Sequence, residues 1–461
     1  MHDLQKGTLM QRVFKYWLAI AALVTAGAVA ACSGGSGAIP GGPNLSTQSN
    51  GMQPAITAMS AGRVHPGPAV AVCGAVANRF ARCHAWRRTD IGNVGDFVQP
   101  MKRHTPPPSP TPTPSSSPRP TPTPGNCPNP SISGYQPCDL QTAYQLPSST
   151  AGSGQTVGIV DAYDDPNAES DMGVYRSTFG LPACTTANGC FRKVNENGVQ
   201  GSYPRNNTGW AQEISLDLDM ASAICPNCHI LLVEGSSSSF ADLAASENTA
   251  VSLGANVVSN SYGGNESSTT VSTYGPDYNH SGVTITASSG DNGFSSTAQF
   301  PADLNSVVGV GGTSLTSTSG PVESAWSGAG SGCSGVSNAL TAQPSWQTAL
   351  ANITSVCSRR AYADVSAVAD PNTGVAVYDT DGASGWLEFG GTSVASPIIA
   401  SVYALAGNAS TSGPSFPYSH TSSLNDVTTG SNGSCGTDLC NATTGWDGPT
   451  GLGTPHGTGS F

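Results

Sequence analysis

Ser393 has the sequence setting of a nucleophile. It lies in residues 391–397 (GTSVASP), which open an apolar run typical of a helix. A hydroxyl at a helix N-terminus is surrounded by free backbone N–H groups and by the positive end of the helix dipole, and both stabilise developing negative charge. The alternative is that Thr392 or Ser393 only caps the helix, since both residue types are common there.

Glu213 and Asp217 form a second candidate group. They stand four residues apart, so a helix predicted over residues 211–224 places both carboxylates on one face. The apolar Met220 continues the same face, and a buried acid shifts its pKa rather than staying freely charged. We expect Asp219 to point elsewhere and to be solvated. The alternative for Glu213 and Asp217 is an acidic surface turn.

Asp291 is the third candidate. It lies in residues 287–293 (ASSGDNG), at the end of a strand-like run over residues 282–288. Open α/β sheets build their sites from loops at the carboxyl ends of parallel strands. An aspartate beside glycine is also ordinary turn chemistry, so the local pattern leaves both interpretations open.

The elements around these motifs alternate between strand and helix. Strand-like apolar runs are predicted over residues 156–163, 229–234, 255–262, 282–288, 306–310 and 375–378. Helical patterns are predicted over residues 211–224, 240–253 and 392–405. This alternation, with near-continuous apolar strands, favours an α/β fold with a doubly wound, mostly parallel sheet and helices on both faces.

Composition argues against some partners and indicates export. The 461 residues carry 17 lysines and arginines against 29 acids, so we expect no nucleic-acid binding and an acid-tolerant extracellular surface. Basic residues precede an apolar run over residues 17–29 that is short for a membrane span, which is typical of a signal peptide. Residues 29–35 (VAACSGG) resemble a bacterial lipobox with Cys32 as the lipidated residue; a plain signal peptide with a free Cys32 is the alternative.

The chain is predicted to have four parts. Residues 1–32 are the signal peptide with its lipobox, and residues 33–104 are a Gly/Ser-rich tether with a small disulfide-containing segment. Residues 105–126 alternate proline with threonine and serine, a composition typical of an extended spacer. Residues 127–461 form the main domain.

Twelve cysteines follow Cys32, and an even number in an exported chain predicts disulfides. Proximity in the sequence suggests the pairs Cys73/Cys83, Cys127/Cys138, Cys184/Cys190, Cys225/Cys228, Cys333/Cys357 and Cys435/Cys440. Residues 225–228 (CPNC) could instead be a redox motif or part of a zinc site, although no second such motif lies near them.

The three motifs, in this order, resemble the sedolisin family of serine-carboxyl peptidases, whose fold is subtilisin-like. The resemblance covers nearly all of residues 134–457. Further matching motifs are residues 259–264 (SNSYGG), 300–302 (FPA), 310–313 (VGGT) and 344–347 (PSWQ). An ordinary subtilisin needs a catalytic histidine in a His-Gly-Thr-like helix start, whereas the HGT tripeptide of this sequence, residues 456–458, is followed by no predicted helix.

Carried over by position, the resemblance implies Ser393 as nucleophile, Glu213 as general base and Asp217 as the residue that orients Glu213. It also implies that Asp291 stabilises the oxyanion and that Asp161 extends the carboxylate chain in a supporting role. Glutamate, with an unperturbed pKa of about 4.3, suits acidic surroundings in which a histidine of pKa about 6.5 would be protonated. Asp291 must be protonated to donate to an oxyanion, which acid also favours.

Residues near the C-terminus resemble the family's calcium site. By this match Asp426 and Asp447 supply carboxylates, and Val427, Thr443 and Gly445 supply carbonyl oxygens, to one structural calcium ion. The alternative is a loop with two solvated aspartates.

The resemblance implies a secreted or surface-anchored endopeptidase that acts in acid on protein or peptide substrates. We expect a monomer that touches a membrane only through its lipid anchor. A tripeptidyl-peptidase-like exopeptidase of the same mechanism, and a non-catalytic cell-surface binding module on the same fold, are the alternatives. Residues 33–126 lack the composition of the long folded propeptide usual in the family, so self-inhibited maturation is not expected.

Overall fold

The computed structural model describes residues 67–91, 127, 129 and 131–461, all within the unit Ile56–Phe461, one of two into which the chain divides. The predicted signal peptide, the proline-rich linker and most of the tether lie outside the described residues. The strands are β1 (Ala69–Ala71), β2 (Arg82–Cys83), β3 (Trp86–Arg88), β4 (Thr156–Ala162), β5 (Phe191–Asn195), β6 (His229–Gly235), β7 (Val257–Asn260), β8 (Tyr262–Asn265), β9 (Thr284–Ser288), β10 (Gln299–Phe300), β11 (Val307–Ser317), β12 (Val322–Ala325), β13 (Gly332–Cys333), β14 (Ala361–Tyr362), β15 (Val365–Val368), β16 (Val375–Asp379), β17 (Gly385–Gly390), β18 (Leu424–Asn425) and β19 (Thr454–Pro455). The helices are α1 (Pro137–Ala143), α2 (Ala168–Thr178), α3 (Thr208–Ile224), α4 (Phe240–Ser252), α5 (Ser268–Tyr274), α6 (Ser345–Thr348), α7 (Ala351–Val356), α8 (Thr392–Ala406) and α9 (Phe416–Ser419).

An eight-stranded sheet forms the centre of this region. Its strands pair in the order β12-β11-β9-β7-β4-β6-β5, and β15 also pairs with β11. The pairs are parallel except for β11 with β12. The prediction of an α/β fold with a mostly parallel sheet is therefore confirmed.

Alternating side chains of the strands supply two apolar cores. In β6, Ile230 and Leu232 belong to the core that includes residues of α3 and α8, whereas Leu231 and Val233 belong to the core that includes residues of α4. Successive side chains of a strand point to opposite faces of a sheet. A strand covered on both faces therefore needs the unbroken apolar run that this sequence contains.

Two predicted strands differ from the structure. The run over residues 255–262 is divided, because β7 ends at Asn260 and β8 begins at Tyr262 in a small separate sheet with β10 and β2. The run over residues 375–378 is β16, which pairs antiparallel with β17 outside the main sheet. Apolar composition located these strands correctly but could not identify their partners.

Residues 67–91 pack into the fold as three short strands. β2 pairs antiparallel with β8, while β3 pairs antiparallel with both β17 and β1. The Cys73–Cys83 disulfide closes the loop between β1 and β2. A segment that precedes the proline-rich spacer in sequence thus adds strands to two small sheets of the main domain.

The six predicted cysteine pairs are all disulfide-bonded: Cys73–Cys83, Cys127–Cys138, Cys184–Cys190, Cys225–Cys228, Cys333–Cys357 and Cys435–Cys440. Because the sulfurs of residues 225 and 228 are bonded to each other, neither is a zinc-binding thiolate. Within the described part of the chain, no helix has the length and apolar character that a membrane crossing requires.

Candidate active site

A sharp turn places Ser393 at the start of α8. The helix begins at Thr392 directly after Gly391, whose φ of 101° is a conformation that favours glycine. A Cβ atom on Gly391 would lie 2.1 Å from the carbonyl oxygen of His84, so this position also lacks room for a side chain. Ser393 is fully buried in the first helical turn, and its Oγ donates a hydrogen bond to the carbonyl oxygen of Ser261 at 3.0 Å.

Glu213 and Asp217 lie on α3, which packs against α8, and both side chains are fully buried. Asp217 Oδ1 accepts a hydrogen bond from Ser261 Oγ at 2.8 Å. Burial, followed by the charges of Asp217 and Asp161, raises the pKa of Glu213 well above its usual value. The Glu213 oxygens have no well-formed hydrogen bond among the described residues, but Ser393 lies near enough to oppose that rise. The structure therefore brings the predicted base beside the predicted nucleophile.

Asp161 joins this group from the carboxyl end of β4. It is fully buried, and burial, followed by the charges of Asp217 and Glu234, raises its pKa well above the ordinary value. Neighbouring buried acids cannot all ionise together, and such groups lose their protons in steps that belong to the cluster. Asp161, Glu213 and Asp217 can thus hold a carboxylate and protonated acids at the same time.

Asp291 approaches Ser393 from the loop after β9. Its Oδ1 accepts hydrogen bonds from the backbone N–H and the hydroxyl of Thr392, both at 2.8 Å. A Cβ atom on Gly391 would lie 3.0 Å from Asp291 Oδ2, so this second oxygen faces the same space as the His84 carbonyl. Burial raises the pKa of Asp291 to about 7, so in acid the residue is a neutral hydrogen-bond donor. That is the property an oxyanion-stabilising acid requires.

The prediction for Asp219 was wrong, because this side chain is buried rather than solvated. Its Oδ2 accepts a hydrogen bond from the backbone N–H of Tyr378 at 2.9 Å, and burial raises its pKa well above the ordinary value. The sequence argument assumed one solvent-facing side for α3. In the structure this helix packs against α1, α2, α8 and β16, so its acids away from the site are also enclosed.

Two residues of the site were not identified from the sequence. Ser261 accepts from Ser393 Oγ through its carbonyl and donates to Asp217 through its hydroxyl. Thr392 holds Asp291. Ser261 was quoted in the motif over residues 259–264 and Thr392 in that over residues 391–397, but serine and threonine hydroxyls follow no spacing rule that indicates such roles.

His84 occupies the space in front of Ser393, which no sequence pattern indicated. The backbone N–H of Ser393 donates to the carbonyl oxygen of His84 at 3.1 Å, and the His84 N–H points to both Ser261 O at 3.2 Å and Ser393 Oγ at 3.0 Å. The His84 ring contacts Ser288 Oγ through Nδ1 at 2.8 Å. Its side chain is therefore not arranged as a base for Ser393.

Four of the five predicted calcium ligands, Asp426, Thr443, Gly445 and Asp447, lie together. Buried Asp447 accepts hydrogen bonds from Thr443 N at 3.1 Å and from Thr450 N and Oγ1 at 3.0 and 2.8 Å, and Asp426 accepts from Gly445 N at 2.9 Å. Burial raises the pKa of Asp447 to about 7, and the nearby charge of Asp426 adds to this effect. Neither carboxylate has an ion pair with a lysine or arginine within the described residues. Two adjacent carboxylates are oxygen ligands of the kind that calcium prefers.

Comparison with known proteins agrees with this fold. A profile of the subtilase family (peptidase S8) matches residues 201–429. Kumamolisin from Bacillus sp. (strain MN-32) is 30% identical over 363 residues, which cover 70% of this chain and 62% of that protein. Sedolisin from Pseudomonas sp. (strain 101) is 27% identical over 361 residues, covering 69% and 59% respectively. The solved structure of Pseudomonas sedolisin, a serine-carboxyl proteinase complexed with two molecules of pseudo-iodotyrostatin, has a TM-score of 0.59 and 26% identity, covering 71% of this chain and 96% of that one.

The sheet, the helix that carries Ser393 in its first turn and the adjoining acids define a subtilisin-like fold with carboxylates beside the serine. The chain is similar to members of the sedolisin family, serine-type peptidases, and shares their subtilisin-like fold. It spans about three fifths of the length of the curated relatives that it matches, 62% of one and 59% of the other.

Proposed function

We propose that this chain is a serine-carboxyl endopeptidase that hydrolyses peptide bonds through an acyl-enzyme on Ser393 and works in acid. The observation that carries the proposal is the convergence of Glu213 and Asp291 on Ser393 at the N-terminus of α8. A buried serine with one acid beside its hydroxyl and another beside its backbone N–H has both groups that acyl transfer needs, a proton acceptor and an oxyanion donor.

The proposed reaction uses these groups in sequence. Glu213 takes the proton of Ser393 Oγ as the oxygen attacks the substrate carbonyl carbon, and Asp217 shares the charge of Glu213. The oxyanion forms against the backbone N–H of Ser393 and the protonated carboxyl of Asp291. The C–N bond then breaks as Glu213 gives its proton to the leaving amine, which leaves an ester on Ser393. Water then attacks this ester, and Glu213 takes a proton from the water and returns it to Ser393 Oγ.

An endopeptidase is favoured by the way β8 receives an extended chain. β2 pairs antiparallel with β8 beside Ser393, while the chain continues from β2 past the serine to β3. A cleft that accepts chain on both sides of the nucleophile suits cleavage within a polypeptide. The exopeptidase alternative predicts that only peptides with a free N-terminus are cut, so blocked and unblocked peptides separate the two activities.

We further propose that the enzyme acts outside the cytoplasm, as a secreted monomer or one anchored to a cell surface through a lipid on Cys32. Six disulfides support an oxidising compartment. We also propose one structural calcium ion in the C-terminal loops. The carboxylates of Asp426 and Asp447 and the carbonyl oxygens of Val427, Thr443 and Gly445 would hold it. Such an ion would offset the adjacent negative charges and brace the C-terminal loops.

Hydrolysis of an unfolded protein by the purified full chain, from acidic to mildly alkaline pH with calcium present, tests the main proposal. Ser393→Ala should abolish hydrolysis, whereas Ser401→Ala, a matched change further along α8, should not. Hydrolysis that survives Ser393→Ala would contradict the mechanism. Absence of hydrolysis under every condition would favour the alternative of a non-catalytic binding module.

A further inference from the structure

We propose that Glu234 is a positioning residue of the catalytic acids, which donates a hydrogen bond from a protonated carboxyl group to Asp161 and thereby supports the negative charge of the base Glu213. This inference rests on the proposed function, since it adds a member to the same group of acids. Glu234 lies on β6 and acts on Ser393 only through the acids between them.

Glu234 and Asp161 point to the same face of the central sheet. β4 and β6 are parallel neighbours in which Asp161 pairs with Glu234. Two residues earlier in these strands, Ile159 and Leu232 both belong to the core that includes residues of α3, and every second side chain of a strand shares a face. Since neighbouring strands lie about 4.8 Å apart, the two carboxyl groups are within reach of each other on the α3 side of the sheet.

The hydrogen bonds of Glu234 within the described residues are all on one oxygen. Its Oε1 lies 3.0 Å from Lys193 Nζ and accepts from the backbone N–H of Asp165 at 3.1 Å. Its Oε2 is buried and has no hydrogen-bond partner in the part of the chain that the structure describes. Because both donors occupy Oε1, a proton on this carboxyl group belongs on Oε2, from which it can be donated.

Asp161 supplies the acceptor that this proton needs. The side chain is fully buried, and neither carboxyl oxygen has a hydrogen bond among the described residues. A buried polar atom without a partner is costly, and one shared proton satisfies both Glu234 Oε2 and one oxygen of Asp161. The other Asp161 oxygen remains for Asp217, whose Oδ2 has no partner in the same described region. The result is a row of acids that runs from β6 through β4 to Glu213 on α3.

Glu234 holds its proton in acid. Burial raises its pKa to about 8, although the charge of Lys193 opposes this rise. Lys193 Nζ also lies 2.5 Å from Asp164 Oδ1, so it keeps an ion pair when Glu234 is neutral. Among the described residues, the ionisable groups that face Glu234 are Lys193 on β5, Asp161 on β4 and Asp164 in the loop after β4; Asp217 on α3 lies beyond Asp161.

The protonation state of Glu234 decides the sign of its effect on the other acids. An ionised Glu234 raises the pKa of Asp161 and so opposes negative charge in the row. A neutral Glu234 that donates a hydrogen bond favours that charge instead. Asp161, Asp217 and Glu213 lose their protons as a group, so a donor at the far end of the row makes the base easier to form. In acid, Glu234 therefore extends activity to lower pH.

The pH dependence of kcat/KM tests this role. The full chain is assayed with a blocked peptide from strongly acidic to neutral pH, and rates are normalised to the fraction of Ser393 that an acylating reagent labels. Glu234→Met removes the donor, so the acid limb of the profile should move ~1 pH unit to higher pH. Glu234→Gln keeps a donor, because its oxygen takes the place of Oε1 beside Lys193 and its NH₂ group takes the place of Oε2. Its acid limb should coincide with that of the wild type.

Glu247→Met is the matched control. Glu247 is also a fully buried glutamate whose pKa is raised by burial to about 8. It lies on α4, which covers the opposite face of the sheet. Loss of this carboxyl group should therefore leave the acid limb where it is.

Three outcomes would contradict the proposals. An acid limb at the same pH in the wild type and in Glu234→Met would overturn the inference alone. So would an acid limb that Glu234→Gln moves to lower pH, because removal of a negative charge beside Asp161 has that effect only if Glu234 is ionised. Failure of the wild type to hydrolyse peptides, or hydrolysis that survives Ser393→Ala, would refute the proposed function instead.

Infrared spectroscopy tests the protonation of Glu234 without any need for activity. In the Ser393→Ala chain, difference spectra between mildly acidic and alkaline pH should contain the C=O stretching signal of Glu234, which disappears as the pH rises through about 8. Adding Glu234→Gln should lower the protonated-carboxyl signal by one group, while that of Glu247 remains. An unchanged signal would mean that Glu234 is already ionised in acid, and the inference would fail.

Discussion

Replacing Asp291 by asparagine should extend activity to higher pH. Asp291 donates to the oxyanion only when protonated, and burial raises its pKa to about 7. Above that pH the protonated fraction, and with it kcat/KM, should fall about tenfold per pH unit. Glu213, whose pKa is also raised, can only lose its proton as the pH rises, so this base becomes more available and does not cause the decline.

The orientation of the new amide follows from the hydrogen bonds of Thr392. Its N–H and hydroxyl both donate to Asp291 Oδ1, so the oxygen of an asparagine takes that place and the NH₂ group takes the place of Oδ2. The NH₂ group then faces the oxyanion at every pH. The ratio of kcat/KM for the asparagine variant to kcat/KM for the wild type should therefore rise about tenfold per pH unit above 7. Asp291→Ala, which has no donor, should lower kcat about 100- to 1000-fold in acid.

The assay is kcat/KM for a blocked fluorogenic peptide from acidic to alkaline pH, with rates normalised to the fraction of Ser393 that an acylating reagent labels. Normalisation removes differences in the fraction of each preparation that is folded and reactive. An alkaline decline with the same midpoint in the wild type and in Asp291→Asn would refute the reasoning, because another group would then limit the reaction.

Two further results are expected. Burial raises the pKa values of Asp291 and Glu247 to about 7 and about 8, whereas the same carboxyls in the unfolded chain have pKa values of about 4. These groups therefore stabilise the fold most below pH ~4, and this contribution is lost as the pH rises through ~7 to ~8. Thermal unfolding of the inactive Ser393→Ala chain should therefore occur at higher temperature in mild acid than at neutral pH, and a midpoint that rises with pH would contradict this. Calcium removal should lower the midpoint at neutral pH, and Asp447→Asn should abolish that response; a chelator effect of equal size in both chains would place the ion elsewhere.

The sequence predicted the parts of the site that depend on local pattern. α3 and α8 carry regular apolar faces, and the spacing of Glu213 and Asp217 already places both acids on one side of a helix. The burial of Asp219 could not be predicted, because it depends on how many elements cover α3. β2 and β3 have two and three residues, too short for any periodicity, and β2 pairs with a strand about 180 residues away in sequence. Only the folded structure could place His84 beside Ser393.

Burial of ionisable groups links catalysis and stability in this fold. Desolvation disfavours charge, so it raises the pKa of an acid such as Asp291 and lowers that of a base such as His84. A fall in pH below about 7 therefore completes the protonation of the proposed oxyanion donor. Because the neutral form of a buried acid is the one that burial favours, the same uptake of protons stabilises the folded chain.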